Sequence, residues 1–390
     1  MPEVIDEFAN HLPVKIRFGE GVFAELWELL KDERVHRTFV VMDELVQTLP
    51  AVQASLGAVF GEVTVFAKSA REPTVDDVEE AAARLVASNA DAIVAVGGGS
   101  VMDTAKAARL VSGQGGPYLR FARGGVTYES PKIPLVTVPT TAGTGSEVSG
   151  GAVITDPATH TKAGIANPFL RAQYAFVDPE LTYGLPPGPT AYSGVDALAQ
   201  ALAAVAVKVR TPIGNAIGLE ATRLAADALP AVVRDGSDRA ARAQMMCASL
   251  MAGLAMNISD CGAEHSLAQA LGGRYGLPHG LTIGLVLAET MEKDHKAVPQ
   301  LFERIADALG APGDGTRDGS RAAQAVRRLL AEIGFPTLRS VGVSWDDLSE
   351  LADAALEDYF ITVAPAPWTK QDVVDAYSLA LSIEERSAGT

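Results

Sequence analysis

The sequence predicts an α/β domain over residues 1–187 followed by an all-helical domain over residues 188–390. Three observations carry this reading. The first half alternates β-rich runs with helical periodicity, whereas the second half reads almost entirely as helix. Between them, Leu185-Pro186-Pro187-Gly188-Pro189 sets three prolines in four positions, which can continue neither a helix nor a central strand. And 390 residues, 48% of them apolar, are more than one ordinary core holds.

In the first half the strand-like runs are residues 38–42, 63–66, 92–96 and 135–138. The clearest helix spans residues 74–88, where Val75, Val78, Ala81, Ala82, Leu85 and Val86 recur at helical spacing. Alternation of this kind implies a mostly parallel sheet covered on both faces, with ligands at the carboxyl ends of its strands. The second half predicts helices at residues 192–207, 211–229, 239–257, 264–272, 281–293 and 298–309, with more to residue 381. Residues 310–319 read as a loose surface loop, and no internal repeat is evident. The active site is expected in the cleft between the two halves.

The chain carries 32 Lys plus Arg against 48 Asp plus Glu, a net charge of −16. That balance argues against nucleic acid and anionic membranes as partners, since both are bound largely through cations. It leaves room for a small anionic substrate in a local pocket. The opening MPEVIDEF lacks the basic-then-apolar order of a signal peptide, and no apolar run is long enough to span a bilayer. Cys247 and Cys261 are the only cysteines, too few for a disulfide framework. A reduced, cytoplasmic protein is the expectation.

Two loops suggest a nucleotide. Residues 92–100 form a buried strand running into Gly97-Gly98-Gly99-Ser100, after which residues 101–110 continue as helix. Glycines allow close approach to a phosphate, and the helix start offers free N–H groups and a positive dipole end. Ser100 and Asp103 have the spacing of a capping box. A plain strand-to-helix turn explains the same residues taken alone, and the pattern is not GxGxxG. The second loop, residues 139–147, brings Thr140, Thr141 and Thr144 to another strand end. Alone it could be a polar loop that satisfies its own backbone. Two such loops at one sheet edge favour a nucleotide. Asp43, closing a strand-like run, could bind ribose hydroxyls and repel a 2′-phosphate, which favours NAD while leaving NADP open; a turn aspartate is the alternative.

In the helical half, Asp196 and Gln200 are four apart and share a helix face. His265 and His279, two of only six histidines, follow in one short apolar region. One carboxylate and two imidazoles can hold a divalent metal with open positions for substrate and water. For either histidine alone, a satisfied structural role is the alternative. Glu264, next to His265, could add a carboxylate or be a solvated helix residue.

The strings GGGSVMDTAK, PTTAGTGSEV, GVDALAQAL and HSLAQALGGRYGLPHG, in this order, resemble the iron-type (group III) alcohol dehydrogenases. The resemblance runs from about Val14 to Leu381 and has the maleylacetate reductases as close relatives. It implies the dehydroquinate synthase-like fold, a nucleotide-binding α/β domain followed by a helical domain. It also implies the pyrophosphate on Gly97 to Ser100, with Asp103 in the same helix start, and the cofactor lined by Thr140, Thr141 and Thr144. Lys162 is implied near the nicotinamide. The implied metal ligands are Asp196, Gln200, His265 and His279. Position 200 is normally histidine, and Gln269 replaces a further histidine.

An amide oxygen is a weak ligand and lacks the nitrogen that favours iron or zinc. Three outcomes follow. A metal, Fe or Zn, binds on three strong ligands with water or Gln200 as the fourth; or the site is metal-free, as the maleylacetate reductases are thought to be; or the chain is degenerate, against which its intact nucleotide loops argue. The implied activity is reversible hydride transfer between a nicotinamide and an alcohol, aldehyde or small oxo acid. A metal would polarise the substrate oxygen; without one, His265 or His279 would act as hydrogen-bond donor or general acid, and Lys162 is a third catalytic candidate. For a phosphonate or carboxylate aldehyde, Arg274 or Lys162 could meet the anion. A dehydroquinate synthase-like lyase would need clustered Lys and Arg, which the helical half scatters instead. A non-catalytic NAD-binding protein is the remaining class. A homodimer or higher homo-oligomer is expected.

Overall fold

The computed structural model describes residues 7–59, 61–124, 126–159, 161–313 and 315–387. It divides into one unit of Leu12–Leu185 and a second that contains the chain from Pro186 onward.

The first unit runs β1 (Lys15–Phe18), α1 (Leu26–Asp32), β2 (Arg37–Asp43), α2 (Pro50–Gly57), β3 (Glu62–Lys68), α3 (Val75–Ser88), β4 (Ala92–Gly97), α4 (Gly99–Gln114), α5 (Tyr118–Ala122), β5 (Leu135–Pro139), β6 (Gly151–Asp156), β7 (Thr161–Ala166) and β8 (Tyr174–Val177). Six strands form one sheet in the order β1-β8-β5-β4-β2-β3, every neighbouring pair parallel. Alternate residues feed two cores. Phe39, Val41, Ile93 and Ala95 pack with Val78, Leu85, Val101 and Ala105 of α3 and α4. Val40, Met42, Val94 and Val96 pack with Leu26, Leu30 and Val52 of α1 and α2. Both faces are therefore covered, and the central strands read as unbroken apolar runs. Helix α3 starts at a capping box between Thr74 and Asp77 and stops at Asn89, whose φ of 48° is left-handed.

Periodicity did not reveal β1, β8 or the antiparallel β6–β7 hairpin. Strands β1 and β8 have four residues each, and all four of β1 are exposed, too short and too unpatterned to register.

The second unit comprises α6 (Pro187–Ala206), α7 (Pro212–Arg234), α8 (Arg239–Ser259), α9 (Ala263–Tyr275), α10 (His279–Gly284), α11 (Leu287–Asp294), α12 (Pro299–Ala308), α13 (Ser320–Glu332), α14 (Leu348–Glu357), α15 (Phe360–Val363) and α16 (Lys370–Ser387). Three expected boundaries move. Helix α6 begins at Pro187, not at residue 192, because prolines in a first turn lack only N–H groups that have no intrahelical acceptor. Helix α7 continues through Pro230 to Arg234. The single helix expected over 281–293 is two, broken at Val286, whose φ of −127° is outside the helical range. Thr282, Ile283, Gly284 and Val286 are all weak helix formers. Among the described residues, no helix is long and apolar enough to cross a membrane.

Candidate cofactor loops and metal centre

Strands β5, β4, β2 and β3 end level with one another. Their registers pair Pro139 with Gly97, Val96 with Met42, and Asp43 with Lys68. The glycine turn and the threonine loop therefore leave the sheet side by side. Thr140 N donates to Gly97 O at 3.1 Å. A Cβ on Gly99 would stand 2.8 Å from Thr144 Cγ2, so glycine there is what lets the two loops touch. Helix α4 opens at Gly99; Val101 N donates to Gly98 O at 3.1 Å, and the N–H groups of Gly99 and Ser100 have no intrahelical acceptor. Together with the dipole's positive end they favour negative charge at this helix start.

The expected capping box at Ser100 and Asp103 does not form, because Gly98 is the cap and no side chain closes it. Ser100 Oγ instead donates to Arg71 O at 2.7 Å and accepts from Lys68 Nζ at 2.9 Å. Lys68 also donates to Ser69 O and Arg71 O, so all three of its donors are used. Burial pulls its proton affinity below the usual lysine range. Sequence reading missed Lys68, whose only signal was a charged residue closing a β-run. Asp103 accepts from Ser146 Oγ at 2.7 Å and Val153 N at 2.9 Å, which ties α4 to the threonine loop and β6. The fully buried Lys106 adds bonds to Ser146 Oγ, Ser149 Oγ and Gly151 O.

Asp43 Oδ1 accepts from Leu45 N at 2.9 Å and Val46 N at 2.8 Å, so one oxygen shapes the turn after β2. Lys162 lies on β7, 2.8 Å from Glu72 Oε2. Arg274, in the last turn of α9, is held by Asp347 at 2.9 Å.

In the helical unit, α6, α9 and α10 bring Asp196, His265 and His279 together. Asp196 and Gln200 lie in the buried middle of α6, 2% and 3% exposed. His265 is buried near the start of α9, and His279 is the first residue of α10, its side chain 36% exposed. Helix α10 starts hard against α6, for a Cβ on Gly280 would fall 2.2 Å from Tyr192 O. Nε2 of His265 is 3.8 Å, and Nε2 of His279 3.7 Å, from Asp196 Oδ1. The three ligand atoms all lie within 4.8 Å of one another.

These separations are too long for hydrogen bonds. Asp196 Oδ1 and Gln200 Oε1 are both buried without a hydrogen-bond partner. Such atoms are costly unless something meets them. A cation about 2.1 Å from each ligand would set neighbouring ligand atoms about 3.4 Å apart in a tetrahedral site. The spacing is close to that, so Asp196, His265 and His279 fit a divalent ion.

Glu264 is buried, which excludes its reading as a solvated helix residue, and its Oε1 lies 2.9 Å from His265 Nδ1. Burial works against charge on His265, but contacts with Cys261 and Glu264 outweigh it and raise its proton affinity well above the ordinary histidine range. Burial pushes the Cys261 thiol up to about 11, so it is neutral at pH 7 and not a ready ligand. Glu264 also lines a small pocket with Asp294, Leu202, Met291 and Phe302. Asp294 accepts from Trp368 Nε1 at 3.0 Å, and burial pushes its carboxyl up to about 7.

The iron-containing alcohol dehydrogenase family model matches residues 13–179, and the model of that family's C-terminal part matches residues 190–381. Choline dehydrogenase of Bacillus subtilis (strain 168) is 35% identical over 356 residues, 89% of this chain and 88% of its own. NAD-dependent methanol dehydrogenase of Bacillus methanolicus is 33% identical over 377 residues, 95% of this chain and 99% of its own. The crystal structure of 1,3-propanediol oxidoreductase aligns with a TM-score of 0.92 at 30% identity, covering 96% of this chain and 100% of that one. These matches bear out the resemblance and the fold it implied.

Proposed function

The chain belongs to the iron-containing alcohol dehydrogenase family and is an oxidoreductase, and on that premise we propose that it moves a hydride reversibly between NAD(H) and a small alcohol or aldehyde with the help of one divalent ion. The observation that carries the proposal is the convergence of Asp196, His265 and His279 in the helical unit. Two imidazole Nε2 atoms stand 3.7 and 3.8 Å from an Asp196 oxygen that has no hydrogen-bond partner, and the Gln200 oxygen also lacks one.

Asp196, His265 and His279 would hold the ion, Fe or Zn, with Gln200 or water as the fourth ligand. When bound, the metal supplies Lewis acidity toward the substrate oxygen, and the nicotinamide supplies or accepts the hydride. Asp196 contributes the negative charge of the site. His279, the more exposed imidazole, leaves that side of the cluster open to substrate. Gly97, Gly98, Gly99 and Ser100 would receive the pyrophosphate at the start of α4, with Thr140, Thr141 and Thr144 beside it. Asp43, at the level strand ends, favours NAD because a 2′-phosphate would meet its charge. Lys162 must leave Glu72 before it can act on a substrate, so the catalytic work falls to the two histidines.

A metal-independent reaction like that of the maleylacetate reductases is the second reading, favoured by Gln200 and by the raised proton affinity of His265. A protonated His265 would donate to the substrate oxygen as a general acid. Edge strand β1 exposes Ile16 and Phe18, which supports a homodimer through that edge. Two unpaired cysteines support a cytoplasmic location.

The test is NADH oxidation across a panel of aldehydes and oxo acids, before and after chelation. Activity lost to chelator and restored by Fe²⁺ or Zn²⁺ supports the metal-assisted reaction. Turnover that survives chelation moves the assignment to the acid-catalysed one.

A further inference from the structure

The inference rests on the metal site just proposed and concerns how that site works with glutamine at position 200. A neutral amide oxygen brings neither the basicity nor the directed lone pair of an imidazole. The remaining ligands must then bind more strongly for the set to hold an ion. The structure assigns Glu264 as the positioning residue that strengthens His265 and makes good part of what position 200 lacks.

Three observations carry this. The first is the contact itself: Glu264 Oε1 lies 2.9 Å from His265 Nδ1, and both side chains are buried. An imidazole that ligates through Nε2 keeps its proton on Nδ1, and an acceptor at Nδ1 fixes that tautomer and the ring's orientation. A carboxylate acceptor also makes the ring a stronger donor toward the ion.

The second is that the carboxyl is itself held in place. Adjacent helix residues do not ordinarily face each other. Glu264 reaches its neighbour because it stands in the first turn of α9 and folds back over Gly262, whose N–H donates to the same Oε1 at 2.8 Å. A Cβ at residue 262 would stand 2.7 Å from Glu264 Oε2, so the glycine makes the room. The third is charge. Asp196 is the only carboxylate among the three converging ligands, and Glu264 places a second one directly behind an imidazole.

A plain structural role, closing the start of α9 on Gly262, predicts different behaviour. Glu264→Gln keeps an acceptor oxygen for Gly262 but removes the charge, whereas Glu264→Ala removes both. The experiment measures Zn²⁺ affinity by competition with a chromophoric chelator, and the visible spectrum of the Co²⁺-loaded protein. It compares the wild type, Glu264→Gln, Glu264→Ala, Gln200→His and the Glu264→Gln/Gln200→His double variant.

We expect Glu264→Gln to bind Zn²⁺ about 10- to 100-fold more weakly, with a shifted Co²⁺ spectrum and an unchanged NADH affinity. The loss should shrink when Gln200→His is also present. If Glu264→Ala does not fold, the glutamine variant carries the test alone. Zn²⁺ affinity of Glu264→Gln within twofold of wild type would overturn the inference while leaving the metal site standing. An undiminished loss in the Gln200→His background would overturn the compensation. Wild-type protein that takes up neither Zn²⁺ nor Co²⁺ would overturn the site and the inference together.

Discussion

In the α/β unit the polar side chains around the cofactor loops are largely matched within the protein. Ser100 is held by Lys68 and Arg71, and Asp103 by Ser146 and Val153, while Lys106 is surrounded by acceptors. In the helical unit the opposite holds, for Asp196 Oδ1 and Gln200 Oε1 are buried with no hydrogen-bond partner. The difference separates two ways of building a binding site. The first presents backbone N–H groups on a finished scaffold, so its ligand is chosen by shape and by the sign of a helix end. The second leaves oxygen atoms unmatched inside the protein beside two imidazoles, an arrangement that suits an ion which several side chains reach at once.

Substitutions should therefore act differently in the two regions, and the largest effect belongs to the helical one. His265→Ala should abolish metal uptake and lower kcat/KM roughly 10³-fold, since a Lewis acid contributes several kcal/mol to such a transition state. NADH affinity should stay at the wild-type value. Unchanged turnover would break the comparison.

Gln200→His should sharpen it by tightening metal binding about 10- to 100-fold, as a nitrogen donor replaces an amide oxygen. Metal titration against a competing chelator measures this, and an affinity equal to wild type would mean that residue 200 lies outside the ligand set.

Gly99→Ala tests the scaffold side. Its Cβ would meet Thr144 at 2.8 Å, and overpacking of this kind costs about 1–3 kcal/mol. The Kd for NADH should rise about tenfold or more, with the metal content unchanged. A normal Kd would show that the contact between the two loops does not shape the cofactor site.

The smallest effect concerns pH. Burial holds the Asp294 carboxyl near 7, against 3.8 in the free group. A folded-state value above the unfolded one means that the folded protein holds the extra proton. Its contribution is intact below about pH 4 and is lost as the pH rises to about 7. Asp294→Asn, neutral throughout and still able to accept from Trp368, should gain stability relative to wild type over that interval. The gain should be on the order of 1–3 kcal/mol and then level off. Melting temperatures at pH 5 and pH 8 measure it, and a pH-independent difference would show that Asp294 is ionised in the folded protein.

How far these regions could be read from the chain differs for the same physical reasons. The run into Gly97 was legible because apolar β-rich residues give way to glycine and then to helical spacing within a dozen positions. The partners of Ser100 and Asp103 were not, since Lys68, Arg71, Ser146 and Val153 come from other segments and local spacing suggested a capping box that Gly98 forestalls. Asp196, His265 and His279 stand on three helices, so ligand chemistry could only suggest them as a set, and the resemblance singled them out. The turning of Glu264 onto its own neighbour was hidden as well, because helical geometry points adjacent side chains apart.

The central claim is that the helical unit is completed by an ion. Metal content of wild type and His265→Ala, both purified without chelator, tests it most directly. The account predicts about one equivalent of Fe or Zn per wild-type chain and essentially none in the variant. Wild-type protein free of metal, and unable to take up added Fe²⁺ or Zn²⁺, would contradict it.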